Sequence, residues 1–163
     1  MEKTFIHLHA HSYFSLMEGL ISPEELVLTA KKYGMHAIAL TDHKCLSGAV
    51  EFENSSLKNG VEPIYGLEIN VAWQGLSGPI VLLVMDREGW SNACILSSRL
   101  MLAENINETD TISLQELSRF HNGLILLTGG QRSILDTFIK RSQDEAAIAW
   151  LNELHKVFQD RLV

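Results

Sequence analysis

Cysteine is scarce in this 163-residue chain. Cys45 and Cys94 lie far apart and form no CxxC pair, which excludes a dense disulfide framework and fits reduced thiols in a cytoplasmic protein. No apolar run reaches the roughly 18 residues that a membrane span requires. The opening MEKTFIHLHAHS is polar and His-rich, which excludes a signal peptide. Basic charge is also short: 13 Lys and Arg against 20 Asp and Glu leave a formal net charge of −7. The only short basic clusters, Lys31-Lys32 and Lys140-Arg141, sit in helical patterns. A basic patch of the kind that grips phosphate backbones is therefore missing, and any nucleic-acid role has to come through metals or attached domains. Walker-type, GxSxG and GxGxxG loops are absent too.

What is present fits one globular domain over residues 1–163, since 46% of the residues are hydrophobic and the length allows a sizeable core. Residues 4–11 alternate, with Ile6, Leu8 and Ala10 on one face and His7, His9 and His11 on the other, the period of a strand. SPEELVLTAKKYG reads as a helix, with Ser22 as N-cap, Pro23 at its first position, Glu25 closing a capping box and Gly34 at its end. Strands are expected at 35–41, 63–71, 79–85 and 123–128, and helices at 46–59, from Arg87 to Asn105, after Ser113, and over 133–158 in one or two pieces. Strands alternating with helices point to a largely parallel α/β sheet, open or closed into a barrel. The helix at 143–158 ought to hand the chain to a further strand, so a C-terminal truncation is expected.

The opening histidines carry the chemical signal. On a strand, His9 and His11 leave the same face with Cα atoms about 7 Å apart, a spacing that permits chelation of one cation. A polar strand face is the plain alternative. His7 shares the face one step deeper, where it could support the site. Glu18 lies in the loop that follows, Asp42 and His43 directly follow the second strand, and Glu68 lies toward the C-terminal end of the third. In parallel α/β proteins those ends converge on one mouth. Mixed His and carboxylate ligands suit a hydrolytic centre of more than one cation, with Glu68 as bridge. Asp42 is either a ligand or the cap of its turn. His36, His121 and His155 read as boundary, capping and solvated residues, and Trp90, Trp150 and Phe158 as helix packing.

Three stretches, FIHLHAHSYFSLMEG, GMHAIALTDHKCLSG and GVEPIYGLEINV, resemble the first motifs of the polymerase-and-histidinol-phosphatase (PHP) domain. More narrowly, they are similar to the N-terminal PHP domain of bacterial DNA polymerase III alpha subunits. IVLLVMDREGWSNACILSS and LSRFHNGLILLTGG extend the similarity almost to the end of the chain.

The resemblance implies a distorted seven-stranded β/α barrel, incomplete at its C-terminal end, with up to three metals at its mouth. It places His9 and His11 as ligands of the first metal, Glu18 where the family has an aspartate, His43 as the second-motif histidine and Glu68 as the bridging carboxylate. His7 and Asp42 take supporting roles. Pro79 and Gly130 stand where the family has ligands, and a terminal Asp-x-His pair would lie beyond Val163. One or two zinc, manganese or iron ions are therefore expected rather than three.

The function so implied is that of the PHP portion of a replicative polymerase, with weak metal-dependent 3′–5′ exonuclease or phosphoesterase activity at most. A structural or exonuclease-docking role is implied beside it, in the cytoplasm. The partners would be the remaining polymerase domains and a proofreading exonuclease, with DNA reached only indirectly. A free-standing phosphoesterase of the histidinol-phosphatase type is the alternative, and a protein-binding domain with a vestigial site is the third reading.

Overall fold

The computed structural model describes residues 5–102 and 110–163, so Thr4 of the first expected strand and residues 103–105 of the long helix lie outside the described residues. The chain divides into two compact units, Met1–Leu67 and Glu68–Val163.

In the first unit, α1 (Pro23–Lys32) starts as its sequence predicts. The Ser22 hydroxyl accepts from the Glu25 amide, while the Glu25 carboxylate accepts from the Ser22 amide, so two otherwise orphaned donors are satisfied. Its other end closes with the Met35 amide donating to the Ala30 carbonyl, just past Gly34. Strand β1 (Ala37–Leu40) is buried along its whole length. Helix α2 (Ala49–Asn59) leads to β2 (Glu62–Trp73), whose first residues pair in parallel with β1, from Ala37 opposite Glu62 to Leu40 opposite Tyr65. Leu26, Val27 and Ala30 of α1 pack with Ile38, Leu40, Phe52 and Val61 into one core. The Phe52 ring meets Tyr65 nearly perpendicular.

Residues 5–11 depart from the expected strand. They run beside β1, with the Ala39 amide donating to the His7 carbonyl and the Thr41 amide to the Ala10 carbonyl. The chain bends at Leu8 and His9, however, and the Ala10 amide donates to the Thr41 hydroxyl instead of a carbonyl. A side chain has replaced a backbone partner, and the ladder stops there.

The second unit contains β3 (Leu76–Val84), α3 (Arg87–Met101), β4 (Ile112–Ser113), α4 (Leu114–Leu117), β5 (Leu124–Leu127), α5 (Ile134–Lys140) and α6 (Asp144–Phe158). A 3-10 turn over Gln159–Arg161 follows. The largely parallel sheet expected from the element order is corrected here. β4 pairs in parallel with the end of β2, but β3 and β5 are antiparallel. The reason lies in the connection of β2 to β3. Only Gln74 and Gly75 separate these neighbouring strands, both at positive φ, and a two-residue turn of that kind makes a hairpin. The two β-strands are also longer than expected, so Glu68 sits mid-strand in β2 rather than toward its end. Ala147, Trp150, Leu154 and Phe158 line one stripe of α6 and are buried, with Trp150 against Trp73 at 5.2 Å between ring centroids.

Past α6, the Leu162–Val163 backbone pairs beside β5, with the Val163 amide donating to the Leu126 carbonyl. Arg161 secures this approach. Its guanidinium donates to the carbonyls of His121 and Leu124 and lies 2.9 Å from His121 Nδ1. An arginine only donates, so Nδ1 is the acceptor and the imidazole is neutral, with its proton on Nε2. Burial, aided by the Arg161 charge and opposed by Glu88, holds His121 below its ordinary pKa of 6.5. A lowered histidine pKa stabilises the fold above the unfolded value and loses that contribution as pH falls through the folded value. Unfolding free energy measured between about pH 8 and pH 5 is expected to decline through this window. His121→Asn should flatten that decline.

Candidate metal centre

Four of the five candidate ligands belong to the first unit, and its loop geometry brings them together. His9 and His11 meet with Nε2 atoms 3.2 Å apart and rings inclined at 65°. Two imidazole nitrogens on one tetrahedral zinc, each at about 2.0–2.1 Å, stand roughly 3.3–3.4 Å apart. The observed separation matches that of two nitrogens on a shared cation. The other nitrogen of His11 faces Glu18, with Nδ1 3.6 Å from Oε2. A carboxylate behind an imidazole orients it and makes its far nitrogen a better donor to metal. Glu18 and His43 in turn offer ligand atoms within 4.8 Å of one another.

His7 is exposed, its ring edge-on to Phe5 at 4.7 Å. Asp42 is the opposite case, at 1% exposure. Its Oδ1 accepts from the Ser12 amide and the Ser15 hydroxyl, and its Oδ2 from the Ser12 hydroxyl, all at 2.7 Å. A buried carboxylate is tolerable only with such compensation. These donors come from Ser12 and Ser15 and not from the turn after β1, so Asp42 ties two distant segments together.

The loop carrying Glu18 is short and closed. The Tyr13 amide donates to the Ile21 carbonyl, and the amides of Glu18 and Gly19 both donate to the Ser15 carbonyl. Gly19 packs so tightly on Ser12 that a Cβ there would lie 1.8 Å from the Ser12 carbonyl oxygen. Beyond the loop, the Tyr13 hydroxyl donates to Glu51 at 2.7 Å, and this bond to an anion raises the tyrosine pKa. Leu16, Met17 and Leu20 of the loop are exposed. Ser12, Ser15 and Gly19 were not singled out by sequence reasoning. The one available signal was two serines three residues apart, directly after the histidine pair.

Glu68 opens the second unit on β2 and is 6% exposed. Pro79 and Gly130, the two positions where the resemblance implies ligands and the chain has none, also belong to that unit. Gly129, next to Gly130, packs on Pro79 so that a Cβ on it would sit 2.0 Å from the Pro79 carbonyl oxygen. Among the expected bland histidines, His36 and His155 are exposed.

A family model described as the PHP domain matches residues 7–163. The chain belongs to the PHP domain family. Curated relatives of this PHP chain are DNA polymerase III alpha subunits. That of Buchnera aphidicola subsp. Acyrthosiphon pisum is 35% identical over 163 residues, and the match covers 98% of this chain and 14% of the relative. That of Thermus aquaticus is 36% identical over 171 residues, covering 96% and 14%. The PHP chain thus spans 14% of the length of these relatives. Among solved structures, a predicted metal-dependent phosphoesterase of Bifidobacterium adolescentis superposes with a TM-score of 0.56 at 18% identity. That match covers 88% of this chain and 74% of the other, a likeness of fold.

Gly19→Ala is expected to open the Glu18 loop, because the methyl group has no room against the Ser12 backbone. A strained insertion of this kind costs about 1–3 kcal/mol. Chemical denaturation should read that loss, and faster exchange of the Tyr13, Glu18 and Gly19 amides should localise it.

Proposed function

We propose that this chain is the PHP portion of a bacterial replicative DNA polymerase III alpha subunit, bearing a partly degraded metal site. Its ligands are His9, His11, Glu18, His43 and Glu68, with Glu68 as the bridge and His7 and Asp42 in support. The convergence of the His9 and His11 nitrogens is the observation that carries the reading. The paired Glu18 and His43 and the relatives' common description support it.

One or two ions of zinc, manganese or iron suit this donor set, which mixes imidazole with carboxylate. Such an ion, when bound, supplies Lewis acidity toward a phosphate ester and activates a water. The protein's part is to hold the donors: the bend at Leu8 and His9 sets the His9–His11 pair, and the closed loop sets Glu18 against His43. With Pro79 and Gly130 at expected ligand positions, a full set of three ions lacks donors, so 3′–5′ exonuclease or phosphoesterase activity is weak at most. The role of the domain is then mainly structural, or to dock a proofreading exonuclease beside the other polymerase domains in the cytoplasm. The full fold in this reading is a single domain, a distorted seven-stranded barrel whose remaining strands belong to a longer chain.

Metal analysis by plasma mass spectrometry, on protein purified without chelator, is expected to find one or two equivalents of zinc, manganese or iron. The His9→Ala/His11→Ala double variant should lose them, and metal-free parent protein would overturn the site. On single-stranded DNA with a labelled 5′ end, the metal-loaded chain is expected to release 3′ nucleotides slowly or not at all. Robust EDTA-sensitive cleavage would overturn the degraded-site reading.

A further inference from the structure

The Asp42 carboxylate could be dismissed as an ordinary turn cap, but its partners join three separate pieces of the metal centre. Ser12 directly follows the ligand His11, and it gives Asp42 both its amide and its hydroxyl. Ser15 gives its hydroxyl proton to Asp42, and the same oxygen accepts the His43 amide at 3.0 Å. The Ser15 carbonyl accepts the Glu18 amide, also at 3.0 Å. Ser12 and Ser15 are 0% and 1% exposed, so water cannot replace either hydroxyl.

We infer that Ser12 and Ser15 are positioning residues of the metal centre: through the buried Asp42 carboxylate they tie the His11 segment, the Glu18 loop and the His43 turn into one rigid piece. The inference rests on the metal reading above and extends it to residues that hold no ligand atom. Each hydroxyl is used twice, once as donor and once as acceptor, since the Ser12 oxygen also accepts the Phe14 amide. Alanine at either place removes both bonds and leaves buried groups unpaired. Asp42→Asn removes the charge and turns an acceptor into a donor facing other donors. Neither change touches an imidazole or the Glu18 carboxylate. An effect on metal binding would therefore arise through geometry.

The test uses Co²⁺ as probe on the full 163-residue chain, with affinity from titration calorimetry and coordination from the visible d–d bands. Ser15→Ala, Ser12→Ala and Asp42→Asn are compared with the parent and with Ser91→Ala, a surface control. The expected result is binding weakened about ten- to a hundredfold, the range found when the groups behind metal ligands are removed. Altered d–d bands should accompany the loss, while metal-free Ser15→Ala still melts cooperatively. Faster amide exchange at Glu18, Gly19 and His43 in metal-free Ser15→Ala is expected as well.

Parental affinity and spectra in all three variants would overturn the positioning role while leaving the metal reading intact. Unchanged exchange at those amides would overturn the tie itself. Absence of Co²⁺ binding by the parent chain would overturn the metal reading, and the positioning role with it. Should Asp42→Asn fail to fold, Ser15→Ala alone decides, because it retains the charge and removes only the link.

Discussion

A negative charge placed in the protein interior must be answered by donors, and in this chain Asp42 is where that demand falls. The residue sits at the end of β1, a strand buried on every residue, so its carboxylate cannot retreat to water. Its needs fix residues 12–15, and those residues fix the loop to Glu18. Thr41, one position earlier, performs a related service for the histidines. Its amide donates to the Ala10 carbonyl, and its hydroxyl both accepts from the Ala10 amide and approaches the Ala10 carbonyl at 3.1 Å. The ThrAsp pair thus holds both ends of the segment carrying His11, from one rigid strand. Hydrophobic burial of Ile38 and Leu40 is what makes that strand an anchor.

Local signals were legible wherever chemistry and conformation depend on nearby residues. The SerProGluGlu start of α1 is such a case, since its capping box closes within four residues. The helix expected at 46–59, which the αL residue Gly60 closes, and the short apolar run of β1 were equally plain. The histidine and carboxylate motifs stood out because metal chemistry restricts which side chains can serve, and the structure brings His9, His11, Glu18 and His43 together.

Long-range features were less visible. The Gln74-Gly75 hairpin turns a βα-looking alternation into a mixed sheet, and nothing in the apolar runs on either side specifies the direction of pairing. The perfect alternation over residues 4–11 was misleading for a related reason. Periodicity reports which face a residue takes, whereas the bend at His9 follows from a threonine some thirty residues later. Ser12 and Ser15 look like surface loop residues until Asp42 is seen between them.

The contact of Gly129 with Pro79 bears on what each of the two adjacent glycines could be exchanged for. At Gly130 no atom would lie within 4 Å of an added Cβ, so space is available for a larger side chain. The obstacle there is a backbone at φ +76°, where an L-residue pays roughly 1–2 kcal/mol. At Gly129 the obstacle is steric, because the neighbouring Pro79 carbonyl already occupies the place of a side chain. A larger side chain at position 130 therefore costs little by itself, whereas the strand and turn beside it accept only glycine at position 129. The two adjacent glycines thus differ in kind: one position is limited by backbone torsion alone, the other also by the atoms packed against it.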